Sequence, residues 1–167
     1  MSKQDTREYE VILWGATGFT GALVARHLVA TYGDALQWAI AGRNREKLER
    51  LREELGTPEL PVIEAGSGNR KSLDAMAAST RVVCTTVGPY ALYGDELLVA
   101  CAAAGTDYCD LTGEVQWMAR NIAQHLPAAK KSGARIVHTC GFDSIPSDLG
   151  TWFLQQHMLD QFGEYAD

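Results

Sequence analysis

Three signatures that make a small enzyme self-sufficient are missing from this sequence. No tyrosine is followed four residues later by a lysine, so the proton-relay couple of short-chain dehydrogenases is absent. Neither a G-x-S-x-G nucleophile elbow nor an HExxH zinc motif occurs. The cysteines Cys84, Cys101, Cys109 and Cys140 form no C-x-x-C pair, which removes the strongest sequence case for a metal site. Positive charge is in deficit: 15 Lys and Arg against 21 Asp and Glu leave a net charge of -6, which argues against the basic face that nucleic-acid binding requires. No apolar run approaches the roughly 18 residues of a membrane span. The opening MSKQDTREYE is too polar for a signal peptide, so a cytoplasmic setting is expected. Low-complexity tracts, internal repeats and Pro-rich linkers are absent too, and nothing marks a boundary inside the chain.

What is present begins with glycine. Gly15, Gly18 and Gly21 sit in GATGFTG directly after the apolar run Tyr9 to Trp14 and open a helix-patterned segment. A strand, glycine turn and helix in that order is a pyrophosphate grip. The first glycine permits the backbone reversal, the second lets the main chain approach the phosphates, and the third lets the helix pack on the strand. Free N–H groups at the positive helix end complete it.

Strand-like and helix-like segments alternate along the remaining chain, the pattern of an α/β fold with a doubly wound parallel sheet covered on both faces. The strands are expected near Tyr9 to Trp14, Leu36 to Ala41, Pro61 to Ala65, Arg81 to Val87, Tyr108 to Leu111 and Arg135 to Thr139. The intervening helices are expected near Thr20 to Tyr32, Arg45 to Leu55, Lys71 to Ala78, Gly94 to Ala104 and Trp117 to Ser132. In the first of them Leu23, Val24, His27 and Leu28 make an apolar stripe for the sheet. At 167 residues with 46% hydrophobic content, one well-buried domain is the working count. It is expected to span 1–150, with 151–167 starting a helix that leads towards an absent substrate domain. Cys84, Cys109 and Cys140 lie near the ends of adjacent strands; small, reduced, buried side chains are the preferred reading, and no metal is expected.

The second strand ends at Gly42 and Arg43, where an NAD-specific protein usually carries an acid for the ribose hydroxyls. A guanidinium in that place pairs with a 2'-phosphate, so NADP(H) is favoured over NAD(H). Lys47 and the charges after it read instead as a solvated helix face. Thr85 to Tyr90 ends the fourth strand beside the expected switch in strand order, and should run along the cofactor's ribose and nicotinamide. Asp110 and Glu114 fall after strand five, and Asp143 and Asp148 after strand six. Such carboxylates orient an amide, donate a proton when desolvated, or cap helices, Asp148 looking most like a cap. His138, inside a strand, reads as core.

The runs GATGFTG, AGRNREKL, TTVGPYALYGDELLVACAAAGTDYCDLTGE and GFDSIPSDLG together resemble the N-terminal part of the saccharopine dehydrogenase-like oxidoreductases, including bacterial trans-acting enoyl reductases. The resemblance implies an NADP-binding Rossmann domain of a longer reductase, with Gly15, Thr17, Gly18, Phe19 and Thr20 cradling the pyrophosphate alongside Gly21. It places Arg43 on the ribose phosphate and Val87, Gly88 and Pro89 along the nicotinamide ribose. Members of the family reduce substrates ranging from amino-acid imines to enoyl thioesters on acyl carrier domains, and often pair through the domain not present here, so a homo-oligomer is open. Hydride transfer to a C=C or C=N group is the leading expectation, with this chain alone binding cofactor and catalysing little. If a proton donor lies within the chain, Tyr90 and Asp143 are the candidates; a water or a group outside it serves as well. The alternative is a non-catalytic dinucleotide-binding sensor or scaffold module, which needs the same grip.

Overall fold

The computed structural model describes residues 7–166, so Asp167 and most of the polar N-terminal stretch lie outside the described residues. Six strands form one all-parallel sheet in the order β3-β2-β1-β4-β5-β6, the doubly wound arrangement expected from the alternating pattern. They are β1 (Tyr9–Trp14), β2 (Trp38–Gly42), β3 (Val62–Glu64), β4 (Thr80–Thr85), β5 (Asp107–Cys109) and β6 (Ile136–Val137). The helices are α1 (Phe19–Tyr32), α2 (Arg45–Glu54), α3 (Arg70–Ser79), α4 (Tyr90–Tyr93), α5 (Asp95–Ala104), α6 (Val115–Ser132) and α7 (Ile145–Phe162). Strand order reverses between β1 and β4, which leaves a crevice at their carboxyl ends.

The period-two alternation of the strands divides the core in two. Leu13, Trp38 and Ile40 pack with Ala25 of α1 and Leu48 and Leu51 of α2. Ile12, Trp14, Ala39, Ala41 and Val83 face the other way, into Leu73 and Met76 of α3, Leu97 and Cys101 of α5, and Trp117 of α6. A sheet buried on both faces needs apolar residues at successive positions, which is why β1 ends Ile-Leu-Trp. At the opposite, amino edge the Arg7 guanidinium donates to the carbonyls of Thr80 (2.7 Å) and Ala104 (2.8 Å) and to Thr106 Oγ1 (2.9 Å), tying the entry of β1 to β4 and the end of α5.

Several expectations shift. Helix α1 does not present Leu23 and His27 to the sheet: both are exposed, while Gly21 and Ala25 are buried. The helix is rotated by its closest approach, at Gly21, so the stripe runs through Gly21, Ala25 and Leu28. Strand β4 stops at Thr85, not Val87, because the Val87 N–H turns back onto Thr85 Oγ1 (3.2 Å) and leaves the ladder. The expected boundary at residue 150 falls inside α7, which begins at Ile145 and runs unbroken to Phe162. No residue of α7 is buried, and Trp152 and Phe153 are 61% and 68% exposed. No helix of the described residues is long and apolar enough to cross a membrane.

Helices α5 and α6 are latched by Asp95, whose carboxylate accepts from Trp117 Nε1, Asn121 Nδ2 and Arg120. Partial burial pushes the Asp95 carboxyl up, but these hydrogen bonds and the Arg120 charge outweigh it and hold the acid below its usual range. A depressed folded value means that the stabilisation is complete above the unfolded value, about 3.9, and is lost as pH falls through the folded one. The advantage of the native chain over Asp95→Asn in urea-unfolding midpoint should therefore shrink on acidification below about pH 4. An advantage unchanged between neutral and acid pH would rule out the latch.

Candidate functional site

The site is built where β1 runs out. The N–H groups of Gly15 and Ala16 both donate to the Ala41 carbonyl at the end of β2 (2.9 and 3.3 Å), and Thr86 Oγ1 donates to the Gly15 carbonyl (3.2 Å). The turn is thus pinned from both sides of the switch point. Gly15 has φ +89°, and a Cβ there would meet Val87 Cγ2 at 2.6 Å and Thr86 Oγ1 at 2.9 Å. Gly18 stands at the N-cap of α1 with no side-chain cap, and the first turn carries no acid. The N–H groups of Phe19, Thr20 and Gly21 therefore have no partner within the helix and no competing anion, a ready anion site at a positive helix end.

The glycine turn that leads into this helix end borders a cavity of about 260 Å³. Its wall includes Gly15, Thr17 and Gly18 from the glycine turn, Gly42 and Arg43 after β2, Ala65 and Ser67 after β3, and Thr86, Val87 and Gly88 after β4. Trp14 Nε1 donates to the Ala65 carbonyl (2.8 Å) and holds the β3 loop against the wall. Arg43 is exposed and, among the described residues, makes no hydrogen bond or ion pair. Its neighbours on α2 differ: Arg45 pairs with Glu49, Arg50 pairs with Glu46, and Asn44 caps the helix through the Lys47 N–H. A cation with no partner beside unfilled backbone donors is the arrangement that a phosphorylated ligand fits. Two larger cavities, of about 510 and 550 Å³, lie at the amino edge of the sheet and between α6 and β6, away from the glycine turn and the switch point.

Of the residues read from sequence as cofactor contacts, Gly15, Thr17, Gly18, Arg43, Val87 and Gly88 come together on this wall. Phe19 and Thr20 are exposed on the first turn of α1 and are not part of that wall. Gly21 lies beneath it, buried, where a Cβ would sit 2.2 Å from the Gly15 carbonyl oxygen. Pro89 is exposed at the N-cap of α4.

Tyr90, the first candidate proton donor, is packed in the interior. It is 4% exposed, its hydroxyl donates to the Thr85 carbonyl (3.1 Å) and accepts from the Leu111 N–H (3.3 Å), and burial pushes its pKa well above the ordinary phenol range. Asp143 is exposed on the turn before α7 and is not part of the cavity wall. Asp148 lies within the first turn of α7, and the N-cap position belongs to Ser144. Cys84 and Cys109 are half-buried and Cys140 is exposed, so the reading of these three as buried fails at Cys140. Among the described residues no group of three His, Cys, Asp or Glu is placed to hold a metal.

The structure also reveals an organiser that the spacing of residues did not show. Asp110, 2% exposed, accepts from Tyr108 Oη (2.9 Å), His138 Nδ1 (2.6 Å) and the N–H groups of Thr112 (3.1 Å) and Thr139 (3.0 Å). It thereby joins the chain leaving β5 to the chain leaving β6, where Thr139 is held at φ +60°. Glu114 does related work for the β4 loop: its carboxylate accepts from the Tyr90 and Ala91 N–H groups (2.6 and 2.9 Å) and caps the turn that follows Pro89. His138, read as core, is largely buried but polar in its task.

Comparison with known proteins agrees with this geometry. The model of the family described as saccharopine dehydrogenase NADP binding domain matches residues 11–137. A Mycobacterium tuberculosis protein assigned as a trans-acting enoyl reductase is 49% identical over 164 residues, covering 96% of this chain and 39% of the relative. The trans-acting enoyl reductase of Mycobacterium leprae is 45% identical over 166 residues, covering 98% and 40%. This chain therefore spans about two-fifths of the length of these relatives. Among solved structures, saccharopine dehydrogenase from Saccharomyces cerevisiae superposes with a TM-score of 0.61 at 16% identity, over 91% of this chain and 31% of that one. Triphenylmethane reductase from Citrobacter, complexed with NADP(H), gives 0.59 at 20% identity, over 78% and 48%. The two structures share the fold, and the match to the family model goes further: the chain belongs to the saccharopine dehydrogenase NADP-binding domain family.

Proposed function

We propose that this chain grips NADP(H) for a reductase whose further residues bind the substrate. The reading rests on one juxtaposition: the unpaired Arg43 opens onto the same cavity as the glycine turn and the loop Thr86 to Gly88. The pyrophosphate sits on the N–H groups of Phe19, Thr20 and Gly21, where the helix dipole favours it. Arg43 takes the 2'-phosphate of the adenosine ribose, and Val87, Gly88 and Pro89 flank the nicotinamide ribose. When bound, the cofactor supplies a hydride; the residues of this chain bind and orient it. Ser67 adds a hydroxyl donor to the wall, and the Thr86 hydroxyl, which donates to the Gly15 carbonyl, adds an acceptor oxygen.

The names and lengths of the mycobacterial relatives support an enoyl C=C as the acceptor, on a small molecule or an acyl carrier, over a C=N group. With Tyr90 buried and Asp143 outside the cavity, the proton comes from water or from a group elsewhere in the longer protein. The exposed apolar side chains of α7 suit contact with that portion. A cytoplasmic setting is consistent with four free cysteines.

Arg43→Ala tests the cofactor assignment. Charge-assisted hydrogen bonds of about 1.5–3 kcal/mol are removed, so the Kd for NADPH should rise roughly 10- to 150-fold while that for NADH barely moves. Equal weakening of both, measured by calorimetry, would show that Arg43 reads no 2'-phosphate. NADPH oxidation by the longer protein with enoyl thioesters and imines tests the chemistry. Binding without turnover across such a panel would favour a sensor or scaffold.

A further inference from the structure

Cys84 and Cys109 are direct partners in the parallel pairing of β4 and β5. Residues in register on neighbouring strands project to the same face, here the face that carries α1, where Cys84 packs at the margin of the core cluster. Adjacent strands lie about 4.8 Å apart, within the roughly 4.4–6.8 Å Cα separation that a disulfide accepts. Neither thiol is fully buried, and Cys101, which is, lies on α5 instead. Register places both sulfurs one residue before Thr85 and Asp110, at the carboxyl edge that forms the cofactor cavity.

We infer that Cys84 and Cys109 form a peroxide-responsive dithiol, oxidised reversibly to a disulfide that stitches β4 to β5 beneath the dinucleotide cavity.

The two sulfurs are unequal in the manner such a pair needs. A hydrogen bond from the Cys109 thiol lowers the pKa of Cys84 against the opposing effect of burial, and the same bond, with burial, raises the pKa of Cys109. Cys84 is thus the more readily deprotonated and the attacking sulfur, and Cys109 is the resolving thiol. The Cys84 thiolate attacks one oxygen of hydrogen peroxide, giving a sulfenic acid and releasing hydroxide. The Cys109 sulfur then displaces hydroxide from the Cys84 sulfur, and its proton leaves in the second water. Two thiols and one peroxide become one disulfide and two waters. Cys140 is exposed nearby, with its thiol directed to the Val137 and His138 carbonyls (3.6 and 3.8 Å), and serves as the internal comparison.

The test is peroxide treatment of the whole protein followed by alkylation and peptide mapping, which is independent of any cofactor assignment. The expected result is loss of two alkylatable thiols among the four of this chain, a mass lower by two hydrogens, and a single cross-linked pair of peptides containing Cys84 and Cys109, all reversed by dithiothreitol. Cys140→Ser should leave this outcome unchanged. In Cys109→Ser, a dimedone adduct should appear on Cys84. Oxygen addition or cross-linking confined to Cys140, with Cys84 and Cys109 still alkylatable in the native sequence, would overturn the inference even where a variant fails to fold.

Discussion

Asp110→Ala should lower the stability of the domain by about 3–5 kcal/mol, the range seen when one partner of a buried charged network is removed. Four donors converge on this carboxylate: Tyr108 Oη, His138 Nδ1 and the N–H groups of Thr112 and Thr139. Alanine leaves all four without their acceptor in a place that water barely reaches, and each orphaned group carries its own desolvation cost. The positive φ of Thr139 is held partly by this bond, so the turn after β6 should relax. Asp110→Asn should cost much less, because an amide oxygen still accepts from the two backbone N–H groups and the Tyr108 hydroxyl can turn to accept. Urea unfolding of the two variants beside the parent measures this. A loss below about 1 kcal/mol for alanine, the worth of a single ordinary hydrogen bond, would mean that the network is not an organiser.

Gly21→Ala is the second large effect. The added Cβ would lie 2.2 Å from the Gly15 carbonyl oxygen, 2.8 Å from Ala16 Cα and 2.9 Å from the Gly15 carbonyl carbon. All three are backbone, so no side chain can swing aside, and α1 must lift from the glycine turn. Overpacking of this kind costs about 1–3 kcal/mol or more. The lift also moves the N–H groups proposed to hold the pyrophosphate, so the Kd for NADPH should rise at least tenfold, roughly 1.4 kcal/mol of binding. Gly150→Ala in α7 meets nothing within 4 Å and is the matched control. It should be neutral or stabilising by up to about 1 kcal/mol, since alanine is the better helix former. If Gly21→Ala melts and binds like Gly150→Ala, the close approach is not a constraint.

Both residues show how far the chain could be read before folding. Gly21 was legible because the glycine turn is local: three glycines, a strand before and a helix after, all within one short stretch. Arg43 was legible for the same reason, as the residue after the second strand. Asp110 stood in plain view among acids after strand five, yet its partners His138 and Thr139 lie 28 and 29 residues away and meet it only because β5 and β6 pair. The burial of Tyr90 was hidden for a related reason. A tyrosine after a strand at the switch point looks available, and only packing against Trp117, with ring centroids 5.6 Å apart, buries it.

The sequence by itself determined the alternation of strands and helices, hence a doubly wound sheet, and the local chemistry of the glycine turn and Arg43, because propensity, periodicity and turn geometry act over a few residues. The tertiary structure alone decided the rotation of α1 about its contact at Gly21, the end of β4 at Thr85, the carboxylates Asp110 and Glu114 as supports of the carboxyl edge, and the pairing of Cys84 with Cys109. Each of these depends on which strands become neighbours, and that is settled by burial of the whole core.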